Sequence, residues 1–185
     1  SVGPALIGIA GGDAKGMPPG SWSVPMRSNE LNIVQYDRRN RNEEHIRITG
    51  SPEGDKSMPV TALDGVLLCT TRSVFNEACF DEWHFRGFHG YDLDFSLQVG
   101  QRFPLFVVSN VLLRHFSTGN PDRRWMEAAV EVSRKWRRTL PRSVHEVPKK
   151  EWVEYHWRCM QVFTKHLVRL RYTPLKIAAY IIEFS

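Results

Sequence analysis

The chain is poor in cysteine, and the few it has build no framework. Cys69, Cys79 and Cys159 are widely spaced, odd in number and include no CxxC pair. That argues against a disulfide scaffold or a zinc knuckle and for a reducing, cytoplasmic setting, with all three expected as small buried side chains. No apolar run approaches the roughly 18–20 residues that a membrane helix needs; the apolar segments near Leu6, Val66 and Val107 are strand-sized. The start of the sequence has no basic region followed by a long apolar core, so nothing there reads as a signal peptide. Internal repeats and low-complexity tracts are missing. So are nucleic-acid motifs of fixed spacing and short metal motifs such as His-Glu-x-x-His.

What is present fits one sizeable globular domain, or one and part of another: 185 residues, 42% hydrophobic and 24% charged. The net charge of +5 is clustered, at Arg38-Arg39-Asn40-Arg41, at Arg123-Arg124, at Arg134 to Arg138, and through the last third from Lys149. Such basic surfaces attract anionic lipid, nucleic acid or phosphorylated small molecules. No nucleic-acid partner is expected. The basic C-terminal helices allow peripheral contact with an anionic membrane surface, with packing on the body of the domain as the other role for their apolar face.

Pro4 to Ala10 predicts a buried strand that enters a loop. Residues 11–28 hold four Gly and three Pro, a content that predicts neither helix nor central strand. Trp22 lies in that loop, pinned in core or against a ligand. Leu31 to Tyr36 and His45 to Thr49 predict an edge hairpin with Ile46 and Ile48 facing inward. Val60 to Thr71 is the strongest strand signal. Asp64-Gly65 interrupts it, as a bulge, as a close backbone approach or as a plain loop. A helix is predicted from Tyr91 to Gly100, with Asp92 at its cap or first turn, where the helix start would favour a charged carboxylate. Pro104 to His115 predicts another buried strand that delivers His115 at its end. Asn120 and Pro121 predict the start of a helix that Pro141 ends, with Trp125, Ala129, Val132 and Trp136 along its packed face. Lys149 to Tyr172 and Ile177 to Ile182 predict two more helices. The order of elements gives an α/β class with a mixed sheet, and suggests domains at 1–140 and 141–185, the second a basic helical extension.

The stretch that organises these elements is Phe80 to Phe95. Asp81, Glu82, His84, His89, Asp92 and Asp94 crowd a short aromatic segment broken by Gly87 and Gly90. This composition suits a site floor; a surface loop before a helix cap is the plainer alternative.

Asp64-Gly65, Phe80-Asp81-Glu82, Gly87-Phe88-His89-Gly90-Tyr91-Asp92-Leu93-Asp94 and His115 appear in an order that resembles inverting glycosyltransferases of the GT-A fold, most closely their family-2-like bacterial branch. The resemblance spans roughly residues 4–138. It implies a GT-A-like mixed sheet flanked by helices. It also implies transfer of a sugar from a nucleotide-sugar donor to a glycan, lipid-linked or protein acceptor. Asp92 would be the catalytic base, Asp64 and Gly65 would border the acceptor pocket, and His89 and Trp22 would be lid or stacking residues. Asp94 would orient the acceptor or cap the helix, and His115 would help to hold Mn²⁺ or Mg²⁺ on the diphosphate. Tyr91 stands where the family commonly has Glu. The nucleotide-binding half that the family places before the first strand, with its Asp-x-Asp, has no counterpart here, so the resemblance implies the acceptor side. Three other readings stay open: a non-catalytic sugar- or nucleotide-binding relative, a metal-dependent hydrolase using His84, His89, Asp92, Asp94 and His115, and a basic nucleic-acid-binding module.

Overall fold

The structure, a computed structural model, describes residues 3–37, 42–48, 57–116 and 121–185. The opening apolar run forms β1 (Leu6–Gly8) and β2 (Ala10–Gly12), with a bend at Ile9. β3 (Ala14–Lys15) is followed by the hairpin of β4 (Asn29–Asp37) and β5 (Asn42–Ile48), then by β6 (Ser57–Val60), β7 (Ala62–Leu63) and β8 (Cys69–Thr70). One helical turn, α1 (Arg72–Phe75), leads to α2 (Tyr91–Val99), β9 (Leu105–Val108) and β10 (Leu113–His115). Then come α3 (Arg123–Lys135), β11 (Arg142–Ser143), α4 (Lys149–Arg169) and α5 (Pro174–Phe184).

The fold is mixed α/β with mixed sheets. One sheet has the order β6-β9-β1-β8, with β1 parallel to β9 and the other pairs antiparallel. The second runs β10-β4-β2-β7, with β5 also on β4; β10 is parallel to β4, and the remaining pairs are antiparallel. β3 and β11 form a small antiparallel pair.

Several strands differ from expectation. The runs at 4–10, 60–71 and 104–115 are each divided between the two sheets, because a sharp bend lets one apolar run serve both. Gly11 and Gly12 form a central strand after all, between β4 and β7. A Cβ on Gly12 would run into the Trp22 carbonyl oxygen, and one on Gly11 would lie 3.1 Å from both Leu63 and Val107 side chains. The glycines are therefore there for close approach of neighbouring chain. The predicted hairpin is present in the register Ile33–Ile46 and Leu31–Ile48, but Ile48 is exposed. Its basic turn at 38–41, Thr49 and the 50–56 loop lie outside the described residues. Cys69 and Cys79 are exposed, and only Cys159 is buried.

α3 starts later than the sequence suggests. Asp122 is the cap and accepts from the Trp125 amide at 2.9 Å, leaving Pro121 before the helix; Asn120 lies outside the described residues. The helix ends at Lys135, well before Pro141. Met126 and Val130 of α3 share a core with Met160, Phe163 and Leu167 of α4 and with Tyr180 and Phe184 of α5. Arg134 clasps both carboxylate oxygens of Glu183, at 2.7 and 3.0 Å, across α3 and α5. Tyr155 and Cys159 of α4 pack on Ala14 and Met26. The 141–185 segment is thus bound to the first 140 residues by β11, by this cluster and by the three-helix core.

Two buried charges fix the ends of the loop that bears Trp22. The Lys15 ammonium donates to the carbonyls of Gly16 (2.7 Å) and Pro18 (3.2 Å), and burial pulls its pKa down to about 8. Asp13 accepts from the amides of Met26 (2.9 Å), Arg27 (2.7 Å) and Ser28 (3.0 Å). Buried charges persist only when so paired or bonded, and here they anchor a Gly/Pro-rich segment with little regular structure of its own.

Candidate functional site

Four loops and two helix starts enclose a cleft of about 420 Å³. Its wall includes Trp22 from the clamped loop, Asp64 and Gly65 from the turn after β7, and His89 to Asp92 from the entry to α2. His115 from the end of β10 and Trp125 from the first turn of α3 complete the ring. Of the seven residues to which the resemblance gives roles, six (Trp22, Asp64, Gly65, His89, Asp92 and His115) therefore meet in one place.

Local chemistry explains each position. Gly90 is the N-cap of α2 at φ +85°, a left-handed conformation in which a side chain is strained, and an added Cβ would also sit 2.9 Å from the Phe85 ring. That turn puts Asp92 in the second position of the helix. Its Oδ2 accepts from the Gly65 amide at 3.1 Å and its Oδ1 from the Leu93 amide at 2.9 Å. Gly65 lies so close to α2 that a Cβ would overlap the Tyr91 hydroxyl and lie 3.3 Å from the Asp92 Cβ. Asp64 accepts from the Trp22 indole (2.9 Å) and from the Val66 amide (2.9 Å), while its own amide donates to the Ala10 carbonyl (2.9 Å). The Asp64-Gly65 interruption is thus both a turn and a close approach.

The electrostatics reverse one expectation. The helix start was expected to hold Asp92 in its charged form. Instead burial pushes its carboxyl above the ordinary range, and the neighbouring Asp64 carboxylate pushes the same way. Bonds from the Leu93 and Gly65 amides oppose this shift without cancelling it. Tyr91 is raised as well, by burial first and then by Asp92 and Asp64. A carboxylate with raised proton affinity is a better proton acceptor than an ordinary surface Asp.

His115 has a defined tautomer. The Gln35 side-chain amide donates to the His115 carbonyl at 3.1 Å, so the Gln35 oxygen faces Nδ1 at 3.0 Å and Nδ1 carries the proton. Nε2 makes no hydrogen bond among the described residues. A single imidazole nitrogen fits a cation whose remaining ligands come from a bound diphosphate. No group of three His, Cys, Asp or Glu side chains placed to hold a metal is found among the described residues.

Asp94 is the correction. It is fully buried on the other side of α2, bonded by the Trp136 indole (2.8 Å), the Gln98 amide (2.7 Å) and Lys135 (2.7 Å). It is a core anchor and does not reach the cleft. Asp81 and His84 also face away: they bond each other at 2.7 Å, and Asp81 takes Lys135 at 2.6 Å. His89 reaches the cleft and lies 4.0 Å from Asp122. Tyr91, Phe88 and Trp125 are cleft residues that the sequence did not single out for a site. Trp125 was read as packing, and its ring does rest on His166, with centroids 5.3 Å apart.

Comparison of the chain with protein-family models, with curated proteins and with solved structures gave no match.

Proposed function

We propose that the chain provides the acceptor side of an inverting, nucleotide-sugar-dependent glycosyltransferase, with Asp92 as general base. The observation that carries this reading is the cleft itself, which Asp92, Asp64 and His115 line together with Trp22, Tyr91 and Trp125. The aromatic faces suit the apolar faces of a sugar ring. Asp64, already oriented by the Trp22 indole and the Val66 amide, suits a hydrogen bond from an acceptor hydroxyl.

In this reading Asp92 takes the proton of the attacking hydroxyl as its oxygen bonds to the anomeric carbon. The bond from that carbon to the diphosphate breaks on the opposite face, its electron pair leaves with the phosphate, and the configuration inverts. A divalent cation would supply charge neutralisation for the leaving diphosphate, with His115 Nε2 as its protein ligand.

A second reading, a sugar- or nucleotide-binding protein without catalysis, draws support from one fact. The sequence's only Asp-x-Asp, Asp92 to Asp94, has its second carboxylate locked in the core. Titration calorimetry with nucleoside diphosphates, with and without Mn²⁺, combined with assay of diphosphate release from nucleotide sugars, separates the two. Transfer with Asp92→Asn slowed by about 10²–10⁴-fold, and Mn²⁺-dependent binding lost only in His115→Ala, supports the transferase. Binding without turnover supports the second reading. Failure of nucleotides and of sugar acceptors alike to bind sinks both.

A further inference from the structure

α5 is apolar on both faces, although only one of them is covered. Ile177, Tyr180, Ile181 and Phe184 turn toward α3 and α4. Leu175, Ala178, Ala179 and Ile182 follow the i, i+3, i+4, i+7 spacing of a helix stripe and are exposed, Leu175 by 85% and Ile182 by 79%. Beside this crest lies a shallow groove of about 560 Å³ between α5 and α4, walled by Trp157, Met160, Val168 and Ile181. Trp157 and Val168 are themselves exposed. Cations edge the apolar surface: Lys165 and Arg169 on the groove, and Lys176 beside Leu175 with its ammonium over the Tyr180 ring. Lys165 and Arg169 carry no ion pair among the described residues, Arg169 donating to the Pro121 carbonyl at 3.0 Å, and Glu183, the acid of α5, is held by Arg134.

We propose that this face of α4 and α5 docks in plane on an anionic lipid surface. Leu175, Ile182 and Trp157 would enter the interfacial region while Lys165, Arg169 and Lys176 meet the headgroups. An exposed apolar plane rimmed by Lys and Arg with Trp at its margin has the composition of an interfacial helix surface. Two other occupants fit less well. A second copy docked face to face would bring the same cations together. A single acidic helix in the groove would cover Trp157 and Val168 but leave the Leu175–Ile182 crest in water, whereas a lipid surface covers both. α3 lies between this face and the cleft: Met126 and Val130 pack on α4 and α5, while Trp125 and Ala129 line the site.

The test is sedimentation of the full chain with phosphatidylcholine vesicles, with and without phosphatidylglycerol. The expected result is binding to the anionic vesicles alone. It is abolished by the pair Leu175→Asp and Ile182→Asp, exposed positions whose change leaves thermal unfolding as it was. It falls by roughly fivefold for each cation removed at Lys165 or Lys176. Three results overturn the proposal: no binding to anionic vesicles, binding that the two Asp substitutions leave intact, or self-association through this face without lipid binding. None of these readings uses turnover, so the transferase reading is judged separately.

Discussion

The indole of Trp22 donates to the carboxylate of Asp64 at 2.9 Å, joining residues 42 apart in the chain. The bond fixes a ring and a carboxylate on adjoining walls of the cleft. Trp22→Phe keeps most of the packing and removes the donor. We expect a loss of about 1 kcal/mol, the usual net worth of such a bond, read by urea unfolding. We also expect weaker binding of whatever occupies the cleft. Unchanged stability and binding would show the bond to be incidental.

Gly65 and Tyr91 are complementary in the steric sense. Gly65→Ala should cost about 1–3 kcal/mol, because the new methyl meets the Tyr91 hydroxyl and ring. Tyr91→Phe in the same chain removes the hydroxyl and should recover part of that loss. A double-mutant cycle measures the coupling; strict additivity would refute the contact.

Asp92 predicts a pH dependence of defined sign. Its folded pKa is raised, so between the unfolded and folded values the native state holds more protons than the unfolded state, and stability falls as pH rises through that window. Asp92→Asn removes this penalty. Relative to the parent, the variant should therefore gain stability on going from about pH 3 to pH 7, across the ordinary Asp value of about 3.9. A flat or opposite difference between the two unfolding profiles would contradict the burial argument. In the transferase reading the same substitution slows turnover by about 10²–10⁴-fold.

Lys135 bridges Asp81 and the fully buried Asp94, at 2.6 and 2.7 Å. Lys135→Met leaves the Asp94 charge in the core with only Trp136 and Gln98, and should cost about 3 kcal/mol or more. Asp94→Asn should be milder, since the amide keeps an acceptor for the Trp136 indole. Both variants should retain the cleft. If Asp94→Asn leaves stability untouched and alters ligand binding, Asp94 belongs to the site after all.

Much of the cleft was legible where a single residue carries its own reason. Gly90 and Asp92 announce a helix start by their chemistry. Asp64-Gly65 announces a break in an apolar run, and His115 falls at the end of one. Legibility failed where the reason is tertiary. Gly11 and Gly12 look like loop residues because nothing in the sequence says that the Ala62 carbonyl lies against the first and the Trp22 backbone against the second. Asp94 sits two residues beyond Asp92, about 200° around the helix at 3.6 residues per turn, so the two could not share a face. That geometry was available in the sequence, and the density of acidic residues obscured it. Trp125 fits an apolar stripe equally well as core or as cleft wall. It is both: Trp125 packs beside Met126 against the core shared with α4 and α5, and it also lines the cleft.

The division of three apolar runs between two sheets has a consequence for how the molecule comes apart. β1 passes to β2 across Ile9 alone, and β6 passes to β7 across Thr61 alone, whose amide and hydroxyl are tied to the carbonyls of Gly12 and Asp13. β9 passes to β10 across residues 109–112. β7 returns to β8 across residues 64–68, so among the described residues the sheets are stitched at four seams, two of them too short to act as hinges. Neither layer can loosen without dragging the other, and the walls that hold Asp64 and His115 should open only when the whole weave does.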